Sequence, residues 1–144
     1  MNLKRCLQEW LNYMKKIEIN SIESVILFTL YICAQDDIIA KEEIEELAAE
    51  APILQKLYLD MYGELINQDL TELIKDTAKK LEPREQFVGK NISDIEQKTF
   101  SRLITDPKIR DIALLISRHA ASADGFHKNE SHKFRYWSKQ WGLS

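Results

Sequence analysis

The sequence predicts an all-α protein, a compact bundle of about seven or eight helices forming one domain over residues 1–144. Three observations carry this. Apolar residues recur at three- and four-residue spacing through most of the chain. Only 4 Gly and 3 Pro occur, too few to punctuate a β-sandwich, which needs a turn every 8–12 residues or so. Helix start signals stand in front of most of the apolar-periodic segments. At 144 residues, 44% hydrophobic and 30% charged, the chain is long enough for a real core and too apolar for disorder.

The first segment, about 2–17, sets Leu3, Leu7, Trp10, Leu11, Met14 and Ile17 at helical spacing. Gln8, Glu9, Lys15 and Lys16 interrupt any apolar stretch, so it does not read as a secretory leader. Asn20 with Glu23 forms a capping-box pattern opening a second helix, Ser21 to about Gln35. From Ile22 through Leu27 and Phe28 to Cys33 that helix is apolar on nearly every side. A helix of this kind in a soluble protein is central, with others packed around it. Its β-branched content admits a buried strand, but its length favours the helix.

Beyond Asp36-Asp37 the character reverses. In Lys41 to Glu50, the residues Ile44, Leu47 and Ala48 make a buried stripe, and Glu42, Glu43, Glu45, Glu46 and Glu50 a solvent face. Pro52 suits the first turn of a new helix, which runs through Leu57 and Met61 to Ile66. Asp69 with Glu72 caps Leu70 to about Leu81. Pro83 breaks the chain, and residues 84–91 read as connector. Ser93 with Glu96 caps a helix ending near Thr105. Asp106-Pro107 combines an N-cap with proline at the first helical position and opens a second highly apolar helix, to about Ser122. A last helix, from about Lys128 to Trp141, stops at Gly142.

One unit is stated twice: apolar helix, Asp corner, amphipathic helix, near residues 21–50 and again near 107–142. The corners read AQDDIIAKEE, residues 34–43, and SADGFHKNES, residues 122–131. Each has an Asp, Asp36 or Asp124, followed six residues on by Glu42 or Glu130. Gly125 takes a positive φ at no steric cost; Asp37 stands at the matching place and tolerates that region better than most residues. A structural account of the pattern is complete in itself. The Asp bonds local backbone N–H groups, and the Glu, in the first turn of the next helix, gains about 0.3–1 kcal/mol from the helix dipole.

A chemical account starts from the same placement. Carboxylates held close repel unless a cation lies between them, and a hard divalent ion accepts such oxygens. The candidate metal ligands are therefore Asp36, Asp37, Glu42, Glu43, Asp124 and Glu130, for Ca²⁺, Mg²⁺, Mn²⁺ or Zn²⁺. Since Ca²⁺ takes about 6–8 oxygens, one corner alone needs carbonyls or waters to complete the shell, and affinity is modest unless the two corners converge.

The segment from Ile112 through Ser-Ala-Asp124-Gly125 and Glu130 to Trp141-Gly142-Leu143 resembles the tellurite-resistance TerB family. The shared features are an apolar helix ending in Ala-x-x-Asp-Gly, a Glu six residues after the Asp, and an amphipathic helix ending near Leu-Gly-Leu. The stretch from Ser24 to Leu47 resembles the family's first copy, with Asp36 and Glu42 at the acidic positions. Asp37 replaces the glycine of the first corner, and Phe126-His127 replaces a more acidic loop in the second. The resemblance covers under half of the chain. It implies a TerB-like fold, acidic clusters that are candidates for a divalent metal, and no enzymatic activity. It further implies a stress-response or tellurite-resistance setting, a protein partner, and a cytoplasmic location that extends to the periphery of the inner membrane.

Other constellations carry less. A formal net charge of −3 gives no reason to expect nucleic-acid binding. Cys6 and Cys33 sit far apart in apolar segments and read as reduced core thiols. His119, Asp124, His127 and His132 lack the one-face spacing of a zinc-binding helix, and His119 reads as a satisfied core-edge residue. In the last helix Lys128, Lys133, Arg135 and Lys139 interleave with aromatics, but Phe134, Trp137 and Trp141 have the spacing of a buried stripe. Against its basic face stands the acidic face of residues 41–50, a polarity that suits a homodimer or a charged partner. The functional expectation is a non-enzymatic binding module. The alternatives are a metal-independent protein–protein adaptor and a small metal-assisted hydrolase using the first acidic cluster.

Overall fold

Helix α1, Ile22–Cys33, has no solvent face: every residue in it except Glu23 is buried. A computed structural model describes residues 12–13, 15–33, 41–63, 70–81, 94–121 and 128–142, and in it the remaining helices wrap α1. They are α2 (Lys41–Tyr62), α3 (Leu70–Leu81), α4 (Asp94–Leu103), α5 (Pro107–Ala121) and α6 (Lys128–Gln140), and no strand occurs among the described residues. The all-α expectation holds. α5 is the main neighbour of α1, with α2, α3 and α6 closing other sides. Burying a Leu, Ile or Phe side chain is worth about 1.5–3 kcal/mol; Val25, Ile26, Leu27, Phe28, Leu30 and Ile32 are all fully buried. The centre of the bundle is therefore where most of its stability originates.

Asn20 sets the direction in which the helices run. Its backbone N–H donates to the carbonyl of Leu103 at 2.7 Å. Its Nδ2 donates to Thr105 Oγ1 at 2.9 Å, and its Oδ1 accepts from the backbone N–H groups of Thr105 at 2.8 Å and Asp106 at 3.0 Å. Its own carbonyl accepts from the Tyr58 hydroxyl at 2.8 Å. The start of α1 is thus bound to the start of α5, and with their extensive packing the two helices run in parallel. α2 runs the other way. Tyr62 Oη meets Asp106 Oδ2 at 3.3 Å at one end, and Glu50 Oε1 meets His119 Nδ1 at 3.0 Å toward the other. Cys33 and Ala121, the last residues of α1 and α5, consequently lie at the same end of the bundle.

An aromatic cluster seals α6 and α4 to α1. Tyr31 stacks on Phe100 with centroids 4.5 Å apart. Phe28 meets Phe100 and Trp137 edge-on at 5.5 and 5.9 Å, and Trp137 Nε1 donates to the Tyr31 hydroxyl at 3.3 Å. Trp137 is fully buried, with Phe134 and Trp141 partly buried beside it, as the stripe predicts. Asp106 caps α5 by accepting from Lys108 N–H at 2.9 Å, and Gly142, at φ 77°, closes α6.

Several expectations need correction. The helices predicted at 41–50 and from Pro52 are one helix, α2, with Pro52 inside it; six helices are ranged among the described residues, and residues 12, 13 and 15 are helical besides. An interior proline costs about 3 kcal/mol through a lost hydrogen bond and a clash with the preceding turn. The buried stripe Leu47, Ala51, Leu54 and Tyr58 runs unbroken past it. At about 1.5–3 kcal/mol for each large member, keeping both halves on one axis outweighs the proline. Pro52 itself faces solvent.

The cap of α1 is Ser21, whose Oγ accepts from Ser24 N–H at 3.1 Å; Asn20 stands one residue outside, at φ 60°. The second apolar helix, α5, is buried on one face only, leaving Asp111, Leu115 and Arg118 exposed. Of the helix predicted over 2–17, residues 12, 13 and 15 are helical and the chain has left the helix by Lys16; residues 1–11 and 14 lie outside the described residues. So do Asp69, Pro83 and Ser93.

Two substitutions test this account. Pro52→Ala is expected to raise unfolding free energy by about 1–3 kcal/mol, the helix-interior cost less the entropy proline removes from the unfolded chain. An unchanged urea midpoint would mean that α2 is broken there. Asn20→Ala removes three hydrogen bonds and puts a β-carbon in the left-handed region, a loss of about 2–4 kcal/mol. Asn20→Gly relieves the backbone but not the lost bonds, and its midpoint should fall between those of wild type and the alanine variant.

Candidate functional site

Three of the six predicted metal ligands, Asp36, Asp37 and Asp124, lie outside the described residues. The other three are in the first turns of helices: Glu42 and Glu43 in α2, Glu130 in α6. Glu42 is exposed. Among the described residues no group of three or more His, Cys, Asp or Glu side chains is arranged to hold a metal ion. Cys33 is a buried thiol at the end of α1, and Cys6 lies outside the described residues.

By sequence Lys133 belongs to the basic face of the last helix, but the structure takes it off the surface. The side chain is fully buried, with Nζ 3.5 Å from the Tyr31 carbonyl oxygen and 4.5 Å from the centroid of the Tyr31 ring. Tyr31 stands in the last described turn of α1, toward the negative end of its dipole. A lysine there meets that partial charge, a carbonyl acceptor and an aromatic face together. The signal was present in the spacing, since Lys133 precedes Trp137 by four residues and shares its face.

Glu50 is a second correction. Read as part of the solvent face, its side chain is only 9% exposed and meets His119, itself 57% exposed. One oxygen, Oε1, lies 3.0 Å from His119 Nδ1; the other, Oε2, is buried with no hydrogen-bond partner among the described residues. Burial raises the Glu50 carboxyl above its ordinary range against the lowering effect of His119, and Glu46, one turn earlier on α2, adds to the rise. His119 is thus satisfied, as expected, but by a carboxylate and from the surface side. His132 is exposed on α6; His127 lies outside the described residues.

Among the described residues, two of the grooves on the surface bear on function. The larger, about 770 Å³, lies at the Asn20 junction, where Lys16, Glu18, Ile19, Tyr58, Tyr62 and Asp106 line it. Its polar groups are largely engaged: Tyr58 to Asn20, Tyr62 to Asp106, and Asp106 to the first turn of α5. Burial raises the Tyr58 hydroxyl far above neutrality, with Tyr62 and Asp106 adding to it, so it remains a donor. The second groove, about 610 Å³, runs between α5 and α6. Leu114 and Phe134 line it around an exposed Leu115, and Arg118, Arg135 and Lys139 stand on its rim with one carboxylate, Asp111.

Compared with protein-family models, with curated proteins and with solved structures, the chain matches none. The TerB resemblance rests on the residues of the two corners. Among the described residues no helix is long and apolar enough to cross a membrane.

Glu50 gives a pH prediction. Because its pKa is raised in the folded state, folding takes up a proton at Glu50. Its contribution to stability is present below the unfolded carboxyl pKa and is lost as pH rises through the folded value. Glu50→Gln is therefore expected to be more stable than wild type at pH 7, with the advantage vanishing in acid. Urea titrations at pH 4 and pH 7 measure this; a variant destabilised equally at both would show that the His119 contact, not the buried charge, dominates.

Proposed function

We propose that this chain is a non-enzymatic, TerB-like helical binding module whose acidic corners take up a divalent cation and which engages a protein partner. A stress-response or tellurite-resistance setting goes with this reading, in the cytoplasm or at the periphery of the inner membrane. The observation that supports it is the parallel course of α1 and α5. Cys33 and Ala121, the last described residues before the two acidic stretches, lie at one end of the bundle. One corner has too few oxygens for a hard cation; two together have a route to about 6–8 ligands once carbonyls and waters are counted. Glu42, in the first turn of α2, belongs to this end.

Lys133 lies near the same end and competes electrostatically with any cation held close to it, so the affinity is expected to be modest. Calorimetric titration with Ca²⁺, Mg²⁺, Mn²⁺ and Zn²⁺, on wild type and on the paired variant Asp36→Asn/Asp124→Asn, tests the metal component. At one hundred times Kd a bound ion adds about 2.7 kcal/mol, which should raise Tm by several degrees in wild type and not in the variant. Absence of heat and of thermal shift with every ion removes the metal from the proposal. Partner capture that persists in chelator would then leave the adaptor alone.

A further inference from the structure

We propose that the groove between α5 and α6 docks an acidic amphipathic helix from a partner protein. This goes beyond the metal reading and uses other residues. A single exposed leucine is ordinary on a protein surface. Leu115 differs by its place: 55% exposed, it sits in a trough between two packed antiparallel helices, with half-buried Phe134 opposite. The line from Asp111 to Arg118 covers two turns, about 10 Å, which matches apolar anchors at i, i+3 or i+4, and i+7 on an incoming helix.

Charge selects the occupant. Among the described residues that line the groove, Arg118, Arg135 and Lys139 stand with one carboxylate, Asp111, in a chain whose net charge is −3. Acidic residues flanking the partner's apolar stripe meet this rim, and basic ones are repelled, which gives both steering and discrimination. An anionic membrane fits less well. A membrane-binding helix presents a broad convex apolar face, whereas here, among the described residues of the groove, Leu115 alone of the large apolar side chains is exposed.

The test uses the full chain and two fluorescein-labelled peptides of about 18 residues, long enough to hold helix in isolation. Both carry leucine at i, i+4 and i+7; one has Glu and the other Lys at the flanking positions. Fluorescence anisotropy is expected to show the Glu peptide binding at least about tenfold tighter, with affinity falling as salt rises. Leu115→Arg should abolish binding, and Arg118→Glu/Arg135→Glu should reverse the preference toward the Lys peptide. All three positions are exposed, and circular dichroism verifies that the variants fold.

Equal binding of both peptides, binding of neither, or undiminished binding by the Leu115 variant would overturn the proposal. So would sedimentation with phosphatidylglycerol vesicles that depends on Leu115 in the absence of peptide binding, which assigns the face to a membrane. Salt-sensitive self-association in light scattering, lost in the double arginine variant, would assign it to a second copy. None of these outcomes bears on the corner carboxylates, so this inference and the metal reading fail separately.

Discussion

A helix with no polar face must be covered on every side, and α1 imposes that requirement on the whole chain. α2, α3, α5 and α6 each present an apolar stripe to it. Burial alone is non-directional and does not choose between parallel and antiparallel neighbours. Asn20 makes that choice. Its amide and main chain bind the junction of α4 and α5 through four hydrogen bonds and reach α2 through Tyr58. It does this from the left-handed region, where asparagine is tolerated and most residues are strained. Hydrophobic burial supplies the energy, and one asparagine supplies the orientation.

At the other end of α1 a charge does the comparable task. Burying an ammonium is costly unless donors and acceptors match. Lys133 reaches a helix C-terminal carbonyl and the ring of the same residue, Tyr31, while Trp137 holds the Tyr31 hydroxyl in place. Glu50 and His119 form a separate polar contact on the flank, fixing the antiparallel register of α2 against α5. In both cases a polar group converts a slippery apolar contact into one alignment, which makes its burial useful for specificity whatever its net effect on stability.

Much of the fold was legible because it follows from local pattern. The apolar run from Val25 to Cys33, interrupted only by Thr29, declares a central helix, Asp106-Pro107 declares the start of α5, and Gly142 declares the end of α6. The failures share a cause: periodicity assigns a residue to a face but does not say what stands opposite. Pro52 reads as a beginning because the unbroken stripe across it gains its weight from neighbours distant in sequence. Glu50 reads as solvent-facing amid five glutamates because only His119, on another helix, marks it as buried. Lys133 reads as surface by residue type although its spacing from Trp137 puts it in the core. Asn20 looks like a cap since the sequence shows Glu23 three residues on and cannot show Leu103 or Thr105. The corner carboxylates, legible as a repeated motif, lie for the most part outside the described residues, so the structure contributes the relation of the helices that bracket them.

The two grooves show why size is a poor guide to function. The junction groove is the larger, but its hydroxyls, amide and carboxylate are largely consumed in joining α1, α2 and α5. A ligand entering it would have to break those bonds, each worth about 0.5–1.5 kcal/mol net, before gaining any. The α5–α6 groove is smaller and crosses only two elements. Its cationic rim and exposed leucine can be covered by a partner without undoing the alignments that Asn20 and Glu50 maintain. A binding surface that leaves the folding contacts intact is one that can be occupied and vacated while the bundle stays folded, and between the two grooves that argument favours the smaller one.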